Sequence, residues 1–160
     1  MSREKVYNFS AGPAMMPESV LKKAGGEISD YKGSGMSVME MSHRSSLFVD
    51  IFAEAKQKLR AALNVPDSHE ILFLQGGATL QFAAIPLNLM GERRCADYAV
   101  TGNFSSLAAK EAEKYGKVHI ACSSSDRGHS YIPSQLSLSD ESSYFYYCAN
   151  NTIYGTEWQT

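Results

Sequence analysis

Apolar residues recur along this chain at helical spacing first, and the pattern changes near residue 70. After Pro17, which suits a helix first turn, Val20, Leu21, Ala24 and Ile28 predict one amphipathic helix. Phe48, Ile51, Phe52, Ala55, Leu59 and Leu63 form the apolar stripe of a second, with Ser45 or Ser46 as its N-cap and Pro66-Asp67 closing the segment. Residues 31–41, rich in Gly and Ser, read as a loop. Residues 1–15, with Gly12-Pro13 near their end, read as an extended arm.

From Ile71 onward, short apolar runs alternate with helical patterns. Ile71-Leu72-Phe73-Leu74 predicts a strand that ends in Gly76-Gly77, followed by a helix over 79–90 that Pro86 must kink or shorten. Tyr98-Ala99-Val100 predicts a second strand, residues 105–115 a helix stopped by Gly116, and Val118-His119-Ile120-Ala121 a third strand. Residues 123–130 and 137–143 are polar loops. Residues 144–148 predict a fourth, aromatic strand running into Asn150-Asn151-Thr152. Strands alternating with helices imply an α/β fold, a mostly parallel sheet with flanking helices. The order is still being built at Thr160, so the sheet is expected to be incomplete at its carboxyl end.

Composition narrows the class. The chain is 44% hydrophobic and 20% charged, with a formal net charge of −2, which suits a soluble globular protein. That balance argues against a nucleic-acid partner or an anionic membrane surface, and no apolar run reaches membrane-spanning length. The start carries charges with no apolar stretch behind them, so no signal peptide is expected. Cys95, Cys122 and Cys148 lack metal-type spacing and read as reduced thiols of a cytoplasmic protein; the four histidines are scattered, so no metal site is expected.

Open parallel sheets bind ligands beyond the carboxyl ends of their strands. Three predicted strand ends carry small or polar residues: Gly76-Gly77-Ala78-Thr79, Gly102-Asn103-Phe104 and Asn150-Asn151-Thr152. The glycine pair before a helix start offers free N–H groups and a positive dipole end to a phosphate; it is equally an ordinary tight turn. Phe104 can stack on a flat heterocycle or fill the core, and Thr152 is a hydroxyl donor or a turn residue. Arg44 offers a planar fork to a carboxylate or phosphate and His43 a second donor, although an isolated pair of this kind also suits plain surface loop.

Taken in order, Asn8-Phe9-Ser10-Ala11-Gly12-Pro13-Ala14, Met41-Ser42-His43-Arg44-Ser45, Gly76-Gly77-Ala78-Thr79, Thr101-Gly102-Asn103-Phe104-Ser105 and residues 146–155 resemble phosphoserine aminotransferases. The resemblance covers nearly the whole chain except residues 123–143. It implies the large domain of a fold-type I enzyme, built here by residues 16–160 behind the arm 1–15. It also implies a cytoplasmic homodimer that uses pyridoxal 5'-phosphate to exchange an amino group between L-glutamate and 3-phosphohydroxypyruvate in serine biosynthesis. By motif position, Gly77, Ala78 and Thr79 would bind the cofactor phosphate, Phe104 would stack on its ring, and Thr152 would contact the ring hydroxyl or the phosphate. His43 and Arg44 would take the substrate's distal anion, with Ser10 near the bound substrate. The stacking position is commonly tryptophan in this family and is Phe104 here; the position after Ala78 is often arginine in bacterial members and is Thr79 here.

The resemblance further implies a Schiff-base lysine beyond Thr160, since Lys5, Lys22, Lys23, Lys32, Lys56, Lys58, Lys110, Lys114 and Lys117 do not occupy that context. The chain alone is therefore expected to be inactive, with no catalytic residue of its own. Two other readings stand beside this one: a non-catalytic α/β module that binds phosphorylated ligands, and another fold-type I aminotransferase.

Overall fold

A computed structural model describes residues 6–159, and the chain divides into two compact units that meet in sequence at Phe73 and Leu74. The first holds helices α1 (Glu18–Glu27) and α2 (Ser46–Ala62), with a single 3-10 turn at Val38–Glu40 inside the segment expected to be loop. That turn has a reciprocal cap: Ser37 accepts from the Met39 N–H, and Glu40 accepts from the Ser37 N–H. Ser45, not Ser46, caps α2, its hydroxyl accepting from the Phe48 N–H at 3.3 Å.

The apolar stripe of α2 is present but no residue of the helix is buried. Its carboxyl half is instead tied down by polar bonds. Arg60 donates to the carbonyls of Val65, Pro66 and His69, and Lys56 meets Glu70 at 2.7 Å. Phe73 reaches back to lie edge-on to Phe52, ring centres 5.1 Å apart.

The second unit is the α/β part. It contains α3 (Gly77–Leu89), β1 (Cys95–Val100), α4 (Asn103–Ala112), β2 (Lys117–Ser123), β3 (Phe145–Tyr146), β4 (Asn150–Asn151) and β5 (Thr156–Glu157). The parallel sheet has the order β2-β1-β3, with Asp97 opposite His119 on one side and Phe145 on the other. β4 and β5 form a separate antiparallel pair. Cys95 through Ala99 are all buried, as befits a central parallel strand covered on both faces. Ala108, Ala109 and Ala112 of α4 pack with Ala96, Tyr98 and Met90 into the core, and the small side chains let helix and strand approach closely.

Three expectations need correction. Residues 71–74 form no strand, and Leu72, Phe73 and Leu74 are exposed. An extended run becomes a strand only when a neighbour completes its ladder, and among the described residues none does. The helix after the glycines starts at Gly77 and runs through Pro86 to Leu89, so the proline does not shorten it. The fourth strand contracts to Phe145–Tyr146, which pair with Asp97 and Tyr98 of β1, while the Ser143 N–H bonds the Cys95 carbonyl just before it.

An aromatic cluster closes the core under β3. The Tyr98 and Tyr144 hydroxyls meet at 2.7 Å, and the Tyr146 ring stacks on that of Tyr98 with centres 4.9 Å apart. Burial first, and the bond to Tyr144 second, hold the Tyr98 hydroxyl well above the ordinary tyrosine pKa; burial also raises Tyr146, and raises Tyr144 against the opposing effect of its bond to Tyr98.

Candidate functional site

At the head of α3, Gly76 has φ 88° and Gly77 φ 57°, both in the left-handed region. A side chain at Gly76 is excluded on two counts, since a Cβ there would lie 2.5 Å from the Leu80 Cβ. The first helical bond runs from the Leu80 N–H to the Gly76 carbonyl, and no side chain caps the helix. The N–H groups of Gly77, Ala78 and Thr79 thus have no helical acceptor and face outward at the positive end of the dipole. The first turn carries no acidic side chain, so nothing there repels an anion. Gly77, Ala78 and Thr79 are all exposed.

The carboxyl end of β1 delivers Thr101, Gly102 and then α4. Ser105 organises the entry: its hydroxyl accepts from the N–H groups of Thr101 and Gly102, each at 3.0 Å, and donates to the Gly102 carbonyl at 2.9 Å. Phe104, in the first turn of α4, is 47% exposed, so it is not a core residue. α3 packs against α4.

Thr152 sits in the turn between β4 and β5. Beside it Asn151, 4% exposed, donates to the hydroxyls of Thr101 and Thr156, each at 3.2 Å. Gly102 is backbone pressed against this side chain: a Cβ there would lie 2.7 Å from the Asn151 Oδ1. The Tyr154 hydroxyl donates to the Asn103 Oδ1 at 2.7 Å. The segments bearing Phe104 and Thr152 are therefore stitched together by side chains from both.

Ser10, His43 and Arg44 belong to the first unit. His43 and Arg44 share one exposed turn leading into α2. In it the Ser45 hydroxyl donates to the Ser42 carbonyl at 2.8 Å, and the Arg44 N–H reaches the Ser42 hydroxyl at 3.3 Å. Both side chains project from a turn braced by serines rather than by one another. Ser10 lies in the exposed arm, its N–H bonded to the Asn8 side chain at 2.9 Å.

Sequence reasoning missed Ser105, Asn151 and Tyr154 as organisers of the strand ends, although the Asn150-Asn151-Thr152 run marked the place. It also missed Asp97, which is 2% exposed and accepts from the Ser139 N–H at 3.0 Å, with the His119 Nδ1 at 2.7 Å from its other oxygen. The three cysteines are free thiols, and burial raises the Cys122 pKa. Among the described residues no group of three or more His, Cys, Asp or Glu is placed to hold a metal, and no helix is long and apolar enough to cross a membrane.

Comparison with known proteins gives this geometry a context. The chain is 52% identical over 156 residues to a phosphoserine aminotransferase of Paraburkholderia phymatum, covering 96% of this chain and 43% of that protein. It is 46% identical over 160 residues to the chloroplastic phosphoserine aminotransferase 1 of Arabidopsis thaliana, covering 99% of this chain and 37% of the relative. Among solved structures, phosphoserine aminotransferase from Bacillus circulans subsp. alkalophilus superposes with a TM-score of 0.90 at 41% identity, over 99% of this chain and 44% of that one. A pyridoxal-phosphate-bound phosphoserine aminotransferase from Trichomonas vaginalis gives 0.86 at 40% identity, over 97% and 44%. The chain thus spans less than half the length of these relatives. The model of the aminotransferase class-V family matches residues 6–160, and the chain belongs to that family.

Proposed function

We propose that this chain forms the amino-terminal part of a phosphoserine aminotransferase, moving an amino group between L-glutamate and 3-phosphohydroxypyruvate to give O-phospho-L-serine and 2-oxoglutarate. The observation that carries the reading is the 52% identity to a phosphoserine aminotransferase across nearly the whole chain. In this reading residues 1–15 are the arm and residues 16–160 the first part of the cofactor-binding domain. The exposure of Leu72, Phe73 and Leu74 fits a segment whose neighbours belong to a larger sheet.

Pyridoxal 5'-phosphate suits the residues present. A phosphate dianion meets the free N–H groups of Gly77, Ala78 and Thr79 and the Thr79 hydroxyl, with no carboxylate in the first turn of α3. Phe104 offers an exposed ring at a strand end for a flat heterocycle. Thr152, held beside the buried Asn151, offers a hydroxyl to the ring oxygen or the phosphate. When bound, the cofactor supplies the electron sink that labilises the α-proton of the amino donor.

The residues of this chain bind and orient. Arg44 and His43 hold the distal anion of each substrate in turn, the side-chain carboxylate of glutamate or the phosphate of its counterpart. One guanidinium fork serves both, because each is a planar or tripodal oxygen anion. Ser10, on the arm, lies near the bound substrate. Proton movement at the α-carbon is assigned to a lysine outside this chain. The protein is further proposed to act in the cytoplasm as a homodimer.

The test uses protein expressed from the complete reading frame, incubated with pyridoxal phosphate, glutamate and 3-phosphohydroxypyruvate. Phosphoserine and 2-oxoglutarate should appear in equal amounts. Transfer to simple keto acids with no use of the phosphorylated acceptor would point to another aminotransferase of the same fold. Binding of phosphate compounds without any amino transfer would point to a non-catalytic module.

A further inference from the structure

The stacking role of Phe104 depends on how firmly the first turn of α4 is held. Helix first turns are intrinsically loose, because their leading N–H groups make no helical bond. Here the N-cap is Gly102, which has no side chain to cap the turn. Ser105 pins the turn from its buried side. On the exposed side the bond from the Tyr154 hydroxyl to the Asn103 Oδ1, at 2.7 Å, ties the residue next to Phe104.

Tyr154 is itself braced. The His129 ring meets it edge-on with centres 5.0 Å apart. The His129 Nδ1 lies 3.3 Å from the Ser124 hydroxyl, and the His129 backbone N–H donates to the Ser124 carbonyl at 2.9 Å. Ser124 is fully buried just after β2 and donates its N–H to the Val100 carbonyl at the end of β1. A continuous set of contacts therefore runs from the carboxyl ends of two sheet strands, through His129 and Tyr154, to Asn103. Tyr154 also belongs to the turn that carries Thr152. Its hydroxyl joins the two segments proposed to face the cofactor ring.

We propose that Tyr154, backed by His129, is a positioning residue that sets the orientation of Phe104 relative to Thr152 and so the fit of the pyridoxal ring between them. The proposal rests on the cofactor reading above. Tyr154→Phe removes one hydroxyl and keeps the ring against His129; Asn103→Ala breaks the same bond from the other side.

In protein from the complete reading frame, three quantities separate positioning from mere support: the dissociation constant of pyridoxal phosphate by absorbance titration, the visible circular dichroism of the bound cofactor, and the melting temperature. Both variants should weaken cofactor binding by about fivefold, the equilibrium weight of one neutral hydrogen bond, and should alter the dichroism. In a Phe104→Ala background, Tyr154→Phe should change binding by less than about twofold, because residues that act through one another are not additive. The proposal is overturned if Tyr154→Phe lowers only the melting temperature, or if its effect on binding persists in full without the Phe104 ring. A wild-type protein that takes up no pyridoxal phosphate would remove the cofactor reading and this proposal together, whereas wild-type uptake with unchanged binding in both variants would remove the proposal alone.

Discussion

Replacing Asp97 should reveal how much of the second unit hangs on one buried carboxylate. Asp97 is 2% exposed in the middle of β1, and its two oxygens serve different elements. One takes the Ser139 N–H at 3.0 Å, holding residues 137–143 beside the sheet; the other meets the His119 Nδ1 of β2 at 2.7 Å. Hydrogen bonds to a charged acceptor contribute about 1.5–3 kcal/mol each, which would set an upper bound of about 3–6 kcal/mol for the pair. Ser139 and His119 are both partly open to water, which recovers some of the loss, and removing the carboxylate also removes the cost of burying it. Asp97→Ala should therefore destabilise the unit by about 2–3 kcal/mol. Asp97→Asn should cost less, about 1 kcal/mol, because its amide can accept from Ser139 while donating to an imidazole in the other tautomer. Urea denaturation followed by Trp158 fluorescence, from the only tryptophan of the chain and in the same unit, measures both. Hydrogen exchange at the Ser139 amide should accelerate in the alanine variant. A loss below about 0.5 kcal/mol for Asp97→Ala, within the range of ordinary surface substitutions, would refute the reasoning, as would an unchanged Ser139 exchange rate.

Gly102→Ala should destabilise by about 1–3 kcal/mol through overpacking, since its Cβ would lie 2.7 Å from the Asn151 Oδ1. Adding Asn151→Ala should return part of that loss, and a double variant as unstable as the sum of the singles would argue against the clash. The raised pKa values of Tyr98, Tyr144 and Tyr146 make a statement about alkali. The folded state holds these protons more tightly than the unfolded chain, so the stabilisation is complete below the unfolded tyrosine pKa of about 10 and is lost as pH climbs above it. Ultraviolet titration should show the buried Tyr98 ionising only with unfolding and Tyr144 and Tyr146 ionising later than exposed tyrosines, whereas one smooth titration of all nine tyrosines would contradict the burial of Tyr98. If Arg44 grips the distal anion, Arg44→Lys in the intact enzyme should raise KM for both acidic substrates by about tenfold, because a point charge replaces a bidentate fork; steady-state kinetics with unchanged KM values would exclude that role.

Much of the architecture was written in local pattern. The spacing of Val20, Leu21, Ala24 and Ile28 marked α1, the Ser45-Ser46 pair marked the start of α2, and the apolar runs around Tyr98 and Val118 marked the two long strands. These are short-range matters of helical period, cap chemistry and alternation, which neighbouring residues decide among themselves. The run 71–74 has the same local character as a strand and is none, because ladder bonds need a partner that local pattern does not supply.

By itself the sequence determined the α/β class, the order of the long helices and strands, and the helix starts at which Gly77, Ala78, Thr79 and Phe104 fall. Tertiary structure alone decided that Phe104 is exposed, that Asn151 is buried between two threonine hydroxyls, and that Asp97 ties His119 to the segment of Ser139. The physical reason is distance along the chain. Tyr154 and Asn103 are 51 residues apart and Asn151 and Thr101 are 50 apart, and such pairs meet only once β3, pairing beside β1, has brought the chain that follows it to the carboxyl end of β1.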